Sequence, residues 1–242
     1  MTAWICVTCG VQHPDAPHPP PGCAVCEDER QYVGHDGQRW IRPDELAAGH
    51  RTQLTEVEAG LVGIGVEPSF AIGQRAVLVR TPAGNVLWDC VPLLDGHARD
   101  QVGALGGIAA ICVSHPHFHA AMVDWADAFG ARILLARADA EWVRRPSPRV
   151  EFFDEQAEPV PGVTAVRVGG HFAGSTVLHL PGADGRGVLL TGDSLQVAAD
   201  RRWVSFLWSY PNMLPLDERT VLGIAERVGM LRFDRLYGGW WE

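Results

Sequence analysis

The chain has 242 residues, 47% of them apolar, and a net charge of −9. That length can bury one large core with room for a small appendage. The acidic balance argues against nucleic acid as a main partner, and no window holds the roughly 18 charge-free apolar residues of a membrane span.

All 20 basic residues are Arg. This reads first as a coding bias, but it also excludes lysine Schiff-base and P-loop chemistry. The start, Met1 to Cys6, lacks the basic residues and apolar run of a signal peptide, so a cytoplasmic location is expected.

Four of the six Cys fall in the first 26 residues, as two C-x2-C pairs, Cys6/Cys9 and Cys23/Cys26. Without a secretion signal, such pairs read as a metal site rather than disulfides. The spacer His13 to Gly22 carries five prolines and is expected to be an irregular loop. Gln31 to Trp40, with Gly34 and Gly37 in the middle, reads as a hairpin. Two knuckles and a hairpin make a zinc ribbon over residues 1–42, with structural zinc in a closed four-thiolate site. His13 and His18 are spare donors. The functional rival is iron in the same cage, acting in electron transfer.

Residues 43–59 carry a helical pattern with Pro43 in the first turn, and are expected to link the ribbon to a main domain over residues 60–242. Strands are expected at Phe70–Gln74, Ala76–Thr81 and Val86–Asp89. A helix at Arg99–Leu105, a buried strand at Ile108–Val113 and a helix at Ala121–Phe129 follow. Next come a strand at Arg132–Leu135 and a helix at Ala138–Arg144. Strands at Val163–Val168, Thr176–Leu180 and Gly187–Leu190 precede a helix at Asp217–Met230 and a last strand at Arg235–Tyr237. Strands, interposed helices and strands again point to an α/β (α+β) fold of two sheets with helices outside. Cys90 and Cys112 read as small buried hydrophobes.

The chemistry concentrates in three segments. His115, His117 and His119 alternate after the apolar run Ile108–Val113, His171 sits in a Gly-rich turn, and Asp193 ends an apolar strand within Thr191-Gly192-Asp193. Neutral imidazole and carboxylate suit zinc, iron or manganese. Asp193 has a plain alternative as a cap on the segment after its strand. His119 stays open between metal ligand, hydrogen-bond donor to a ligand and substrate contact. Asp89 reads as structural, and His179 as core or surface. Trp203 to Pro211 reads either as a pocket wall or as a buried strand and turn, with Tyr210 the one phenol there that could touch a small-molecule substrate.

In this order the segments resemble the metallo-β-lactamase-fold hydrolase superfamily, an αββα sandwich with its metals at one edge. A zinc ribbon fused to such a domain resembles an uncharacterised bacterial branch of it. The resemblance implies that His115, His117, His171 and Asp193 are ligands. It also exposes departures: the superfamily's next Asp falls at His119, its next His at Ala120, and its final His near Tyr237-Gly238-Gly239-Trp240, where there is none. A degenerate or mononuclear site follows.

A metal so held lowers the pKa of water to about 7, which implies hydrolysis with Asp193 and His119 as catalytic residues. Two other readings stay open: a mononuclear iron oxidoreductase of the persulfide dioxygenase type, and a non-catalytic metal-binding protein.

Overall fold

The computed structural model describes residues 2–182 and 186–241. Around the cysteines, β1 (Thr2–Cys6), β2 (Gln12–Ala16) and β3 (Trp40–Ile41) form a sheet in the order β2-β1-β3, and the short helix α1 (Ala24–Glu27) carries Cys26. Two expectations are corrected here. The proline spacer begins as a strand, and Pro14 is tolerated because β2 is an edge. The Gln31–Trp40 hairpin does not form. Its turn is present, with Gly37 N donating to Gly34 O at 2.8 Å, but the returning segment pairs with β1, Trp40 opposite Cys6.

Helix α2 (Pro43–Gly49) starts on Pro43 and buries Leu46. The expected helical stretch stops there. Arg51–Glu58 is strand β4, paired along its length with β5 (Leu61–Glu67) across Gly60, whose φ is +90. Thr52, Thr55 and Val57 favour a strand, and cross-strand pairing overrides a weak helical pattern. Phe70–Gln74 is likewise a turn, not a strand, because Ala71 and Gly73 take positive φ and Gly73 N donates back to Phe70 O.

Strands β6 (Ala76–Val79), β7 (Val86–Trp88), β8 (Ala110–Cys112), β9 (Arg132–Ala136) and β10 (Val150–Phe153) complete a seven-stranded sheet, order β10-β9-β8-β7-β6-β5-β4. Strands β7 to β10 run parallel, and β7 to β9 are buried on both faces, which is why those three read as apolar runs. Helices α3 (Gly96–Ala104) and α4 (Met122–Phe129) lie on the outer face. Asp95 caps α3, accepting from Ala98 N, and Gly130 ends α4 at φ +70. The helix expected at Ala138–Arg144 is a 3-10 helix, Arg137–Trp142.

The second sheet holds β11 (Gln156–Val160), β12 (Val163–Arg167), β13 (Thr176–Leu180) and β14 (Val188–Leu190). After it come two small antiparallel pairs, β15 (Gln196–Val197) with β16 (Val204–Ser205) and β17 (Leu207–Ser209) with β18 (Leu214–Pro215). Helix α5 (Glu218–Gly229) and β19 (Arg235–Tyr237) follow, and β19 closes the sheet beside β14.

Three apolar layers result. Leu78, Leu87, Ile111 and Ile133 meet α3 and α4 outside the first sheet. Val79, Trp88, Cys112, Leu178 and Leu190 fill the space between the sheets. Val177 and Leu189 meet Ile224 and Val228 of α5. This is the four-layer αββα arrangement. Among the described residues no helix is long and apolar enough to cross a membrane.

Candidate metal centre

Three loops at one end of the sandwich carry the site. His115 and His117 follow β8, His171 lies between β12 and β13, and Asp193 follows β14. Backbone bonds brace them: Thr176 N donates to Ser114 O at 2.9 Å, tying the first two loops, and Thr191 N donates to Tyr237 O at 3.0 Å, tying the third to β19. One donor atom each from His115, His117, His171 and Asp193 lies within 4.8 Å of the others, and all four side chains are buried. His171 Nε2 is 3.2 Å from His117 Nδ1. Asp193 Oδ2 is 3.4 Å from His115 Nε2 and 3.9 Å from His171 Nε2. Ligand atoms on a tetrahedral zinc at about 2.0–2.1 Å stand about 3.3 Å apart, so the spacing fits an ion.

The surrounding groups aim these donors. Leu207 O can only accept, so His171 donates from Nδ1 (3.2 Å) and turns a bare Nε2 lone pair to the centre. Ser114 Oγ holds His115 Nδ1 at 2.8 Å, and Ser114 N donates to Asp89 Oδ1 at 2.7 Å. Burial pushes the imidazoles towards the neutral, ligating form: His115 to about 3, His171 to about 4, and His117 well below its usual value. It pushes Asp193 up to about 6, opposed by His171 and by Trp240. His115 Nε2 and Asp193 Oδ1 are buried without a hydrogen-bond partner. Lone pairs facing one another at these distances need a cation or proton between them.

His119 is not in this cluster. It is buried, with its Nδ1 unpartnered, and burial lowers its pKa to about 3, with His115 and Arg144 adding to that and the Trp142 backbone opposing it. Tyr210 donates its hydroxyl to the Asp193 carbonyl at 2.8 Å and packs edge-on to His171, so it steadies the Asp193 loop. Asp89, expected to be structural, is buried and bonded to Ser114 N, with its Oδ2 unpartnered. His179 lies on β13 beside Arg232 O. The stretch from Trp203 is not a buried strand: Trp203 is 68% exposed, and only Tyr210 and Pro211 of it line the cavity over the cluster.

That cavity is about 340 Å³, and its walls include His117, Asp193 and Tyr210, with Thr8, Gln31 and Tyr32 from the cysteine module. Sequence reasoning missed Ser114, Gly192 and Arg30, whose parts depend on neighbours distant in the chain. Arg30 donates to His171 O at 3.3 Å.

In the module, the four Sγ atoms of Cys6, Cys9, Cys23 and Cys26 also lie within 4.8 Å of one another, buried and free of disulfides. Cys6–Cys26 and Cys9–Cys23 are 3.6 and 3.7 Å apart, close to the roughly 3.8 Å edge of a tetrahedral zinc–thiolate site. Both clusters could hold a metal ion.

An αββα sandwich with three His and an Asp gathered at one end of its sheets is the metallo-β-lactamase fold. Solved structures agree on the fold. The metallo-β-lactamase SMB-1 in complex with mercaptoacetic acid superposes with a TM-score of 0.54 at 18% identity, over 77% of this chain and 79% of that one. An N-acyl homoserine lactone hydrolase with its product bound at the catalytic metal centre gives 0.50 at 19%, over 69% and 82%. No protein-family model matches the chain. The chain belongs to the family of the Bacillus subtilis (strain 168) protein YmaE, itself described as uncharacterized, at 48% identity over 241 residues, 98% of this chain and 88% of that protein.

Proposed function

We propose that the protein is a metal-dependent hydrolase of a small-molecule acyl substrate, working with one ion held by His115, His117, His171 and Asp193. The observation that carries this reading is the convergence of four buried donor atoms beside an open cavity. A bound ion would supply Lewis acidity, lowering the pKa of a water to about 7 and polarising the acyl oxygen. Asp193 Oδ1 has no other partner, so it is free to take the proton of the attacking water and pass it to the leaving group. The new bond joins the water oxygen to the acyl carbon, and the acyl–oxygen, acyl–sulfur or acyl–nitrogen bond breaks, the leaving atom taking up the proton.

One ion is favoured over two because Ala120 brings no donor, His119 lies outside the cluster, and an indole stands at Trp240 where an imidazole would be needed. His119 then acts on the site through its neighbour His115 rather than as a ligand.

Elemental analysis with ester, thioester and β-lactam reporters tests this. We expect one ion in the His–Asp site, one in the cysteine module, and hydrolysis of at least one reporter that disappears with His171→Ala. Two ions in the His–Asp site, or hydrolysis that survives His171→Ala, would overturn it. Oxygen uptake with a persulfide by iron-loaded protein, with every reporter intact, would replace it with the oxidoreductase reading.

A further inference from the structure

The cysteine module has the makings of a separate structural knob, yet it is docked on the loops that hold the metal ligands. Gln12 N donates to Ala120 O at 3.2 Å, in the loop that carries His117. Gln12 Nε2 and Arg145 both reach Asp124, at 2.7 and 2.5 Å. On the other side, Arg30 donates to His171 O, and its guanidinium lies 3.9 Å from the Phe172 ring and 4.6 Å from that of Trp208. Asp28 pairs with it at 2.5 Å. Ser209 Oγ donates to Arg30 O at 3.0 Å. A charge held between aromatic faces, paired and hydrogen-bonded, is a fixed contact rather than a passing one. It pins the segment Asp28–Tyr32 against the His171 loop.

The consequence is at the cavity. Thr8, within the first cysteine knuckle, and Gln31 and Tyr32, from the pinned segment, face His117 and Asp193 across the opening. Tyr32 is 47% exposed, with its ring free to meet a ligand. The remaining lining is Ala71, Ile72, Tyr210, Pro211 and Trp240. Among the described residues no Arg lines this cavity, and the chain has no Lys. A carboxylate at the far end of the substrate, away from the ion, would find no cation there to offset its desolvation. An apolar chain would meet Ile72, Tyr32 and Trp240, and the Gln31 amide with the Thr8 and Tyr32 hydroxyls would be at hand for an ester or thioester. At about 340 Å³ the space is at the small end of ligand cavities, about 300–1,000 Å³.

We infer that the four-cysteine module is one wall of the substrate site, and that Tyr32 with Thr8 selects a small, uncharged acyl substrate with an apolar acyl chain. The choice of an ester, thioester or lactone rests on the hydrolase reading above; the wall itself does not.

The test therefore measures binding as well as turnover, on the full chain with both ion sites loaded. Hexanamide, an uncharged acyl analogue, is titrated calorimetrically into wild type, Tyr32→Ala, Tyr32→Phe and Thr8→Val, with His18→Ala as a surface control on the same module. Adipic acid monoamide, which adds a carboxylate at the far end of the chain, is the charged probe. Kinetic constants are measured for p-nitrophenyl hexanoate and acetate, and metal content for every variant.

Tyr32→Ala is expected to weaken hexanamide about five- to tenfold and to raise KM for the hexanoate more than for the acetate, at unchanged metal content. Thr8→Val shifts binding in the same direction, Tyr32→Phe stays within about twofold, and His18→Ala is silent. Equal hexanamide affinity in wild type and Tyr32→Ala, or no binding to wild type, would overturn the wall. Tighter binding of the charged probe would overturn the substrate class. Binding loss in Tyr32→Ala without hydrolysis of any ester would leave the wall standing and remove only the hydrolase reading.

Discussion

Gly192 precedes Asp193 of the His–Asp cluster and has φ +51. A methyl added there would lie 2.5 Å from Ser114 Cβ, closer still to Ser114 Oγ, and 3.5 Å from Asp89 Oδ2. None of these neighbours is a flexible tip: Ser114 and Asp89 are buried and bonded to each other and to His115. For Gly192→Ala, the left-handed conformation costs about 1–2 kcal/mol, and forced overpacking about 1–3 kcal/mol. Together they predict a loss of about 2–5 kcal/mol. In a chain of this size each kcal/mol lowers Tm by about 2–4 °C, so the expected drop is about 4–20 °C.

Moving Ser114 also frees His115 Nδ1, and losing such a supporting contact weakens metal binding by about 10–100-fold. Thermal melts at fixed metal loading measure the first effect and chelator competition the second. Gly223→Ala is the control, since it lies inside α5 with no atom within 4 Å of the added carbon, and is expected to gain about 0.5–1 kcal/mol. If Gly192→Ala melts within about 2 °C of wild type and keeps its metal affinity within about threefold, the packing argument around Ser114 is wrong.

Cys9→Ser should remove the ion of the N-terminal module and unfold β1 to β3, because thiolate-bound zinc contributes directly to folding; full metal content with native hydrogen exchange in that segment would contradict the four-thiolate site. His119→Ala should keep the ion of the His–Asp site while slowing turnover, whereas His117→Ala should lose the ion. Equal metal loss in both would make His119 a primary ligand. Asp139 accepts from Gly174 N at 2.7 Å, and burial raises its pKa to about 6. For a raised carboxyl, the stabilising contribution is complete below the unfolded value of about 3.9 and is lost as pH rises through about 6. Asp139→Asn keeps the acceptor and removes the titration, so its Tm relative to wild type should rise between about pH 4 and about pH 8. A difference that does not change with pH would refute that.

The His–Asp cluster and the cysteine pairs were legible in the chain because metal chemistry restricts residue types and spacing. His115 and His117 alternate after a strand, and Cys6/Cys9 and Cys23/Cys26 sit two residues apart; few other physical demands produce either pattern. The central strands were legible for a similar reason, since β8 and β9 are buried on both faces and admit almost nothing polar.

Arg51–Glu58 was not legible, because its half-exposed, mixed residues take their structure from pairing with β5 rather than from their own preferences. The hairpin expected at Gln31–Trp40 failed on the same ground: β1 offered Trp40 a better edge than Gln31–Val33 could. What only the tertiary structure decided was which atoms face which. It turned His119 out of the cluster, set Ser114 between Asp89, His115 and Gly192, and laid Arg30 against His171 and Phe172. Each of these depends on side chains brought together from segments distant in the chain, and the pattern of one segment carries no record of where another will lie.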